Sequence, residues 1–172
     1  MEAIQEQHER AVGESLIAWL NERDGTSYSF LCRGDEAPDL IYGFDGRTLG
    51  IEVVGAYYDK EDSKMQWQGA RRHPEAPKRW SGINFDDRLL GSIEKRIAAK
   101  CAKNYGSDVI LLVAVRPALT AIPDMEALLR RLDLPNNIPF TAVYVGGDFP
   151  TSSYAQGGYK AWQVHPARTP PD

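Results

Sequence analysis

The fold is decided by residues 38–54, which read PDLIYGFDGRTLGIEVV. Asp45 and Gly46 stand between two runs rich in aliphatic and aromatic residues, and Asp-Gly in that setting is the strongest short-range signal for a two-residue β-hairpin. We therefore predict two antiparallel strands joined by these two residues. If they form the loop, Phe44 pairs with Arg47, and this first pair fixes the register of the whole hairpin.

This register places Asp39 opposite Glu52. Facing Cβ atoms on antiparallel strands lie about 4.5–5.5 Å apart, and like charges in that arrangement are destabilising. A divalent cation would remove the repulsion, since Mg²⁺ is bound in proteins through one or two carboxylates together with water and phosphate oxygens. The alternative is that both acids are ordinary solvated charges on a hairpin whose register differs by one residue.

Outward from the hairpin, the residue pattern predicts elements in the order αβββαβαβ(β). Apolar residues recur at helical spacing in the first segment, and the run 108–115 is continuously apolar after Asp108, as expected of a strand covered on both faces. The predicted elements are a helix over 2–23, strands over 27–33, 39–44 and 48–57, a helix from 84 to about 104, a strand over 108–115, a helix over 123–132, a strand over 140–145 and an edge strand over 159–164. We expect an α/β fold whose mixed central sheet is flanked by helices.

Length and composition predict one folded domain. The chain has 172 residues, of which 42% are hydrophobic, enough for a single core but not for two independent ones. We expect an α/β domain over 1–165 and a flexible tail over 166–172. No zinc-ligand spacing, phosphate-binding glycine loop, dinucleotide fingerprint or serine hydrolase motif occurs in the sequence.

The sequence also favours a cytoplasmic location. It holds no run of about 18 apolar residues, and its first residues are acidic, unlike those of a signal peptide. Cys32 and Cys101 fall in a predicted strand and a predicted helix, so we expect them to be small buried residues rather than a disulfide. The net charge of −4 argues against a protein covered by nucleic acid along one face, so a nucleic-acid site would have to be local.

A local site of that kind is predicted in residues 58–83, a long loop without periodicity. Between residues 68 and 80, four cations face one anion and alternate with aromatic side chains, a pattern suited to a phosphate backbone with stacked bases. The predicted nucleic-acid-binding cations are Arg71, Arg72, Lys78 and Arg79. The alternative is a solvated charged loop that a tryptophan holds against the core.

The sequence Pro38-Asp39, followed by Glu52-Val53-Val54, resembles the motif of the PD-(D/E)XK nuclease superfamily. The predicted αβββαβ order is similar to that family's core, and the resemblance covers residues 4–116. It implies a single-domain restriction-endonuclease-like fold that hydrolyses phosphodiester bonds with Mg²⁺ or Mn²⁺. The implied substrate is nucleic acid, DNA rather than RNA, and the implied assembly is a homodimer or a larger complex without a membrane.

The resemblance also implies the residues of the site. Asp39 and Glu52 would be metal ligands, with the Val53 carbonyl as a third. The family adds an acid from the first helix, and two residues compete for that role. Glu9 lies within the apolar arc of the predicted helix and is preferred, whereas Glu14 lies nearly opposite.

Glu36 is a further acid near the predicted site. It either leans towards the site or solvates a turn.

One position departs from the family motif, because Val54 stands where the family has its lysine. At about 100° per residue, Lys100 falls near the centre of the apolar stripe of the second predicted helix, whereas Lys95 points almost the opposite way. A lysine there is costly to bury unless it is paired, and a carboxylate site would supply the partner. Relatives with the lysine moved to this helix are similar in pattern, with Ile97, Lys100, Lys103 and Tyr105 in the equivalent places. The alternative is that Lys100 extends past the end of the sheet into solvent.

Two functions follow as expectations. The first is metal-dependent hydrolysis of nucleic acid, with Asp39, Glu52, Glu9 and Lys100 as catalytic residues. The second is a catalytically inactive module of the same fold that binds nucleic acid or a protein partner. Val54 and the net negative charge favour the second function, and the intact acidic pair opposes it.

Overall fold

The computed structural model describes residues 2–57, 85–116, 122–149 and 158–166. These residues form helices α1 (Glu2–Asp24), α2 (Phe85–Cys101) and α3 (Ile122–Leu129). The strands are β1 (Ser29–Arg33), β2 (Leu40–Phe44), β3 (Arg47–Ala56), β4 (Val109–Val115), β5 (Ala142–Phe149) and β6 (Gly158–His165). The predicted order of elements is confirmed, with differences of a few residues at their ends.

The six strands form one open sheet in the order β1-β2-β3-β4-β5-β6. β4 is parallel to both of its neighbours, β3 and β5, whereas the remaining pairs are antiparallel. The sheet is therefore mixed, as predicted, and β6 lies at its edge. The continuously apolar β4 lies in the interior of the sheet, and six of its seven residues are buried.

The hairpin has the predicted register. Phe44 pairs with Arg47, and the pairing continues to Leu40 opposite Ile51. Asp45 and Gly46 have φ values of 50° and 71°, the left-handed conformation that a type I′ turn requires at both loop positions. The interpretation with a register one residue different is thereby excluded.

Helices cover both faces of the sheet. α1 packs on one face with Leu16, Ile17 and Leu20, and α2 packs on the other with a stripe that includes Ile93 and Ile97. Successive residues of β3 alternate between the two cores, because neighbouring side chains of a strand point to opposite faces. Ile51 and Val53 belong to the α1 face and Val54 to the α2 face.

The prediction that both cysteines are buried is wrong for Cys32. Cys32 is exposed because β1 is an edge strand with an irregular register between Phe30 and Cys32, and Cys101 is partly buried. Both are free thiols. None of the described helices is long and apolar enough to cross a membrane. The predicted loop over 58–83 and the tail beyond residue 166 lie outside the described residues.

Gly50 sets the position of the segment that leads into β2. A Cβ atom added to Gly50 would lie 2.5 Å from Cγ of Pro38 and 3.1 Å from Cγ2 of Val109. The rigid proline ring cannot turn away, so the absence of a side chain at residue 50 lets Pro38, and with it Asp39, lie against β3. Gly91 in the middle of α2 has nothing within 4 Å of such an added Cβ.

We predict opposite effects for alanine at these two glycines. Gly50→Ala should lower the free energy of unfolding by about 1–3 kcal/mol, because the methyl group overpacks the contact with Pro38. Gly91→Ala should raise it by up to about 1 kcal/mol, because alanine restricts the unfolded chain and has the higher helix propensity. Urea unfolding of both variants measures these changes, and equal effects at the two positions would contradict the packing described for Gly50.

Candidate active site

The sequence-predicted acids and lysine converge on one cleft between α1, α2 and the start of β2. The cleft has a volume of about 310 Å³. The cleft is lined by Glu9, Asp39, Val53 and Lys100. Glu52 does not line it but contacts the ammonium group of Lys100. The remaining lining residues are Gln5, His8, Val54, Gly55, Tyr57 and Arg96.

The cleft lies at the carboxyl-terminal part of β3, a strand parallel to β4. The pairing of β2 with β3 stops at Ile51, so within the described residues the later part of β3 has no strand on that side. Side chains from both faces of the sheet can therefore reach the same space. Ligands of open α/β sheets commonly bind outside the carboxyl ends of the strands, which makes this position a candidate binding site.

Asp39 is the residue immediately before β2. Its Oδ2 accepts a hydrogen bond of 2.8 Å from the backbone N–H of Val53. The N–H and C=O groups of one strand residue point to the same side, so the Val53 carbonyl faces the side of Asp39. Burial raises the pKa of Asp39 to about 6, and the negative charges of Glu52 and Glu9 add to the rise. The hydrogen bond from Val53 acts in the opposite direction and lowers the pKa.

Glu52 is a buried carboxylate in the middle of an apolar strand. Its side chain is 6% exposed, and Oε1 is bound by the ammonium group of Lys100, which is itself 21% exposed. Oε2 and the Tyr105 hydroxyl are both buried, and neither makes a well-formed hydrogen bond within the described part of the chain, although the two side chains lie close enough to interact. Burial raises the pKa of Tyr105 to about 12, and the charge of Glu52 and hydrogen bonding to Glu52 add to the rise.

An unpartnered carboxylate oxygen in the protein interior is costly, because a buried acceptor without a hydrogen bond loses the free energy of hydration. Groups of this kind in native proteins call for a specific explanation, and an ion or a ligand is one. Oε2 of Glu52, whose side chain also lies near the Tyr105 hydroxyl, is therefore a candidate atom for binding an ion or a ligand.

The structure places Glu9, and not Glu14, in the cleft. Glu9 is 9% exposed. Its Oε2 pairs with Arg33 at 2.8 Å and its Oε1 accepts a hydrogen bond from Gln5 at 2.9 Å. Glu14 is exposed and forms a surface ion pair with Arg10. Both oxygens of Glu9 already have partners, so neither is free to bind a metal ion. Glu9 therefore contributes negative charge to the cleft and not a metal ligand.

Glu36 is exposed and does not line the cleft, so the interpretation that Glu36 solvates a turn is the one that fits.

Lys100 lies in the cleft, on the helix face that the helical phase predicts, and Lys95 lies on a different face of α2. The amine of Lys100 reaches a buried carboxylate instead of extending into solvent. Lys95 is exposed and lines a different groove on the far side of α2. Val54 lines the same cleft as Lys100.

Sequence reasoning did not identify two cleft residues, His8 and Arg96. Arg96 is four residues before Lys100, a spacing that puts both side chains on one helix face, and that signal could have found it. His8 directly precedes Glu9 and carried no comparable signal.

The described residues offer at most a small donor set for a metal. No group of three or more His, Cys, Asp or Glu side chains among them is placed to hold an ion. Two carboxylates, from Asp39 and Glu52, and the Val53 carbonyl remain. Mg²⁺ keeps several water ligands and needs only one or two carboxylates, so this set suits Mg²⁺ better than a cation that requires a full cage of protein ligands.

The predicted nucleic-acid-binding cations Arg71, Arg72, Lys78 and Arg79 lie outside the described residues, and their role stays a prediction. Tyr57, the last described residue before them, lines the cleft. Comparison of the chain with protein-family models, with curated proteins and with solved structures finds no match. The geometry of the cleft is therefore the basis for a functional assignment.

The raised pKa of Asp39 predicts a pH-dependent stability. The unfolded carboxyl ionises near 3.8 and the folded one near 6, so the folded state binds more protons in between, and stability falls as the pH rises through this window. Asp39→Asn removes the charge and keeps an oxygen acceptor for Val53. Between pH 4 and pH 8, the free energy of unfolding of Asp39→Asn should increase relative to the parent by about 1–2 kcal/mol, after allowance for partial exposure of the group.

Urea unfolding at a series of pH values measures this difference. The exposed Glu22→Gln serves as the control, and its difference from the parent should stay nearly constant. A difference for Asp39→Asn that is equally constant from pH 4 to pH 8 would contradict the electrostatics described for the cleft.

Proposed function

We propose that this chain is a metal-dependent nuclease that hydrolyses phosphodiester bonds of nucleic acid, DNA rather than RNA. The observation that carries the proposal is the state of Glu52, with one oxygen on the Lys100 ammonium and the other buried without a well-formed hydrogen bond in the described part of the chain. Asp39, whose pKa is raised by burial and also by the charge of Glu52, lines the cleft that Lys100 shares. A carboxyl group with a perturbed pKa in a cleft, with other charged groups beside it, is typical of catalytic sites.

The acids of the cleft have separate roles in this proposal. Asp39 and Oε2 of Glu52 would hold Mg²⁺ or Mn²⁺, with the Val53 carbonyl as a third donor. When bound, such an ion lowers the pKa of a water molecule and compensates the negative charge of a phosphate group. Glu9 keeps the cleft negative on the α1 side, and its ion pair with Arg33 holds the carboxylate in place.

Lys100 is the cation that the reaction requires from the protein. Its ammonium group lies at Glu52, where it can donate a hydrogen bond to an attacking water and stabilise the negative charge that develops on the phosphate oxygens. These roles are those of the lysine in the PD-(D/E)XK motif, which this chain resembles and in which Val54 replaces that lysine. We infer that α2 supplies the cation that β3 lacks.

The order of the elements supports the same proposal. The first helix, three antiparallel strands, second helix and parallel fourth strand follow the αβββαβ order of a restriction-endonuclease-like core. The two motif acids lie at the end of a hairpin, as they do in that family. The alternative, a catalytically inactive module that binds nucleic acid or a protein partner, is favoured by Val54 and by the net charge of −4.

We predict that the chain cleaves plasmid or single-stranded DNA in the presence of Mg²⁺ or Mn²⁺. Asp39→Asn, Glu52→Gln and Lys100→Ala should each lower the cleavage rate by about 100-fold or more, because each removes a ligand or the stabilising cation. Glu14→Gln and Lys95→Ala make the same charge changes on the exposed surface and should retain the parent rate. Gel assays of cleavage measure all five variants.

A second test of the role of Lys100 moves the lysine from position 100 to position 54. Val54→Lys in the Lys100→Ala background should restore part of the lost activity, because both positions line the same cleft. Cleavage that persists in Asp39→Asn and Lys100→Ala would place the activity at another site or in a contaminant. Binding of DNA by the parent without cleavage under any metal condition would favour the inactive module.

A further inference from the structure

A second group of side chains in the cleft carries positive charge or hydrogen-bond donors. Arg96 lies one helical turn before Lys100 on α2, and His8 lies one residue before Glu9 on α1. Both line the cleft that contains Asp39 and Lys100. Arg96 is exposed, and within the described part of the chain no carboxylate forms an ion pair with it.

The charge of His8 is also influenced by a third basic residue, Arg116. Partial desolvation lowers the pKa of His8; the negative charge of Glu9 opposes this shift and the positive charge of Arg116 adds to it. Arg116 directly follows β4, the strand parallel to β3. His8 from α1 and Arg96 from α2 thus lie in a cleft that also holds the carboxylates of Glu9 and Asp39.

A guanidinium group in this position suits a phosphate. Its planar donors match two phosphate oxygens at once, and it remains charged at any physiological pH. Four residues of α-helix rise about 6 Å, which is on the scale of the spacing between neighbouring phosphates of a nucleic-acid strand. Lys100 and Arg96 can therefore face two successive phosphates along one wall of the cleft.

We propose that Arg96, together with His8, forms an anion subsite for the phosphate next to the one bound at Asp39, Glu52 and Lys100. The inference rests on the proposed function for the identity of the first phosphate. It narrows the substrate to a polynucleotide strand, in contrast to a phosphodiester that carries a single phosphate. Arg96 is a binding residue in this account and takes no part in the chemical step.

The test measures binding without metal and without cleavage. Asp39→Asn is the background for all variants, EDTA is present, and fluorescence anisotropy reports binding of a short labelled single-stranded oligodeoxynucleotide. Arg96→Gln should weaken binding about tenfold and should reduce the slope of log affinity against log salt by about one, because one phosphate contact is lost. Lys95→Gln is the matched control, since it removes one charge from the adjacent position on the far side of α2.

Two results would overturn the subsite. One is an equal effect of Arg96→Gln and Lys95→Gln, or no effect of either, and the other is no measurable binding by the Asp39→Asn background. Because neither metal nor turnover is needed, Arg96-dependent binding by a chain that never cleaves DNA would leave the subsite in place while refuting hydrolysis. Metal-dependent cleavage, together with DNA binding that is insensitive to Arg96→Gln, would support hydrolysis and refute the subsite.

Discussion

The contact between Glu52 and Lys100 is the interaction on which the site depends. A carboxylate in the middle of an interior strand costs several kcal/mol of hydration, and a close cation offsets much of that cost. Lys100 does so for one oxygen, from a helix position surrounded by apolar residues. The second oxygen has no such partner in the described structure. The pair therefore joins the stability of the sheet to the chemistry of the cleft.

The rest of the architecture brings other groups to this pair. β2 begins one residue after Asp39, so the hairpin leaves a gap beside β3 in which the Asp39 carboxylate binds the Val53 backbone. Gly50 lets Pro38 lie close enough to hold that segment in place. Through the gap, Glu9 approaches from the α1 face and Lys100 from the α2 face. A sheet whose strands were all equally long would keep these two faces apart.

Much of this arrangement could be predicted from local sequence signals. The Asp-Gly loop determines the register, and helical phase separates Glu9 from Glu14 and Lys100 from Lys95, because each signal depends on neighbours within one element. Contacts between elements that are distant in sequence could not be predicted from these local signals. The partnership of Arg33 with Glu9, the exposure of Cys32 on an edge strand and the place of Arg96 in the cleft all depend on which elements become neighbours in space.

A double-mutant cycle between Glu52 and Lys100 tests the central claim most directly. The free energies of unfolding of Glu52→Gln, Lys100→Met and the double variant are compared with that of the parent at neutral pH. A direct buried pair predicts that Lys100→Met is strongly destabilising alone and much less so when Glu52 is already neutral, with a coupling of about 1–3 kcal/mol. Effects that add to within about 0.5 kcal/mol would show that the two side chains do not interact in the folded protein, and would contradict the account.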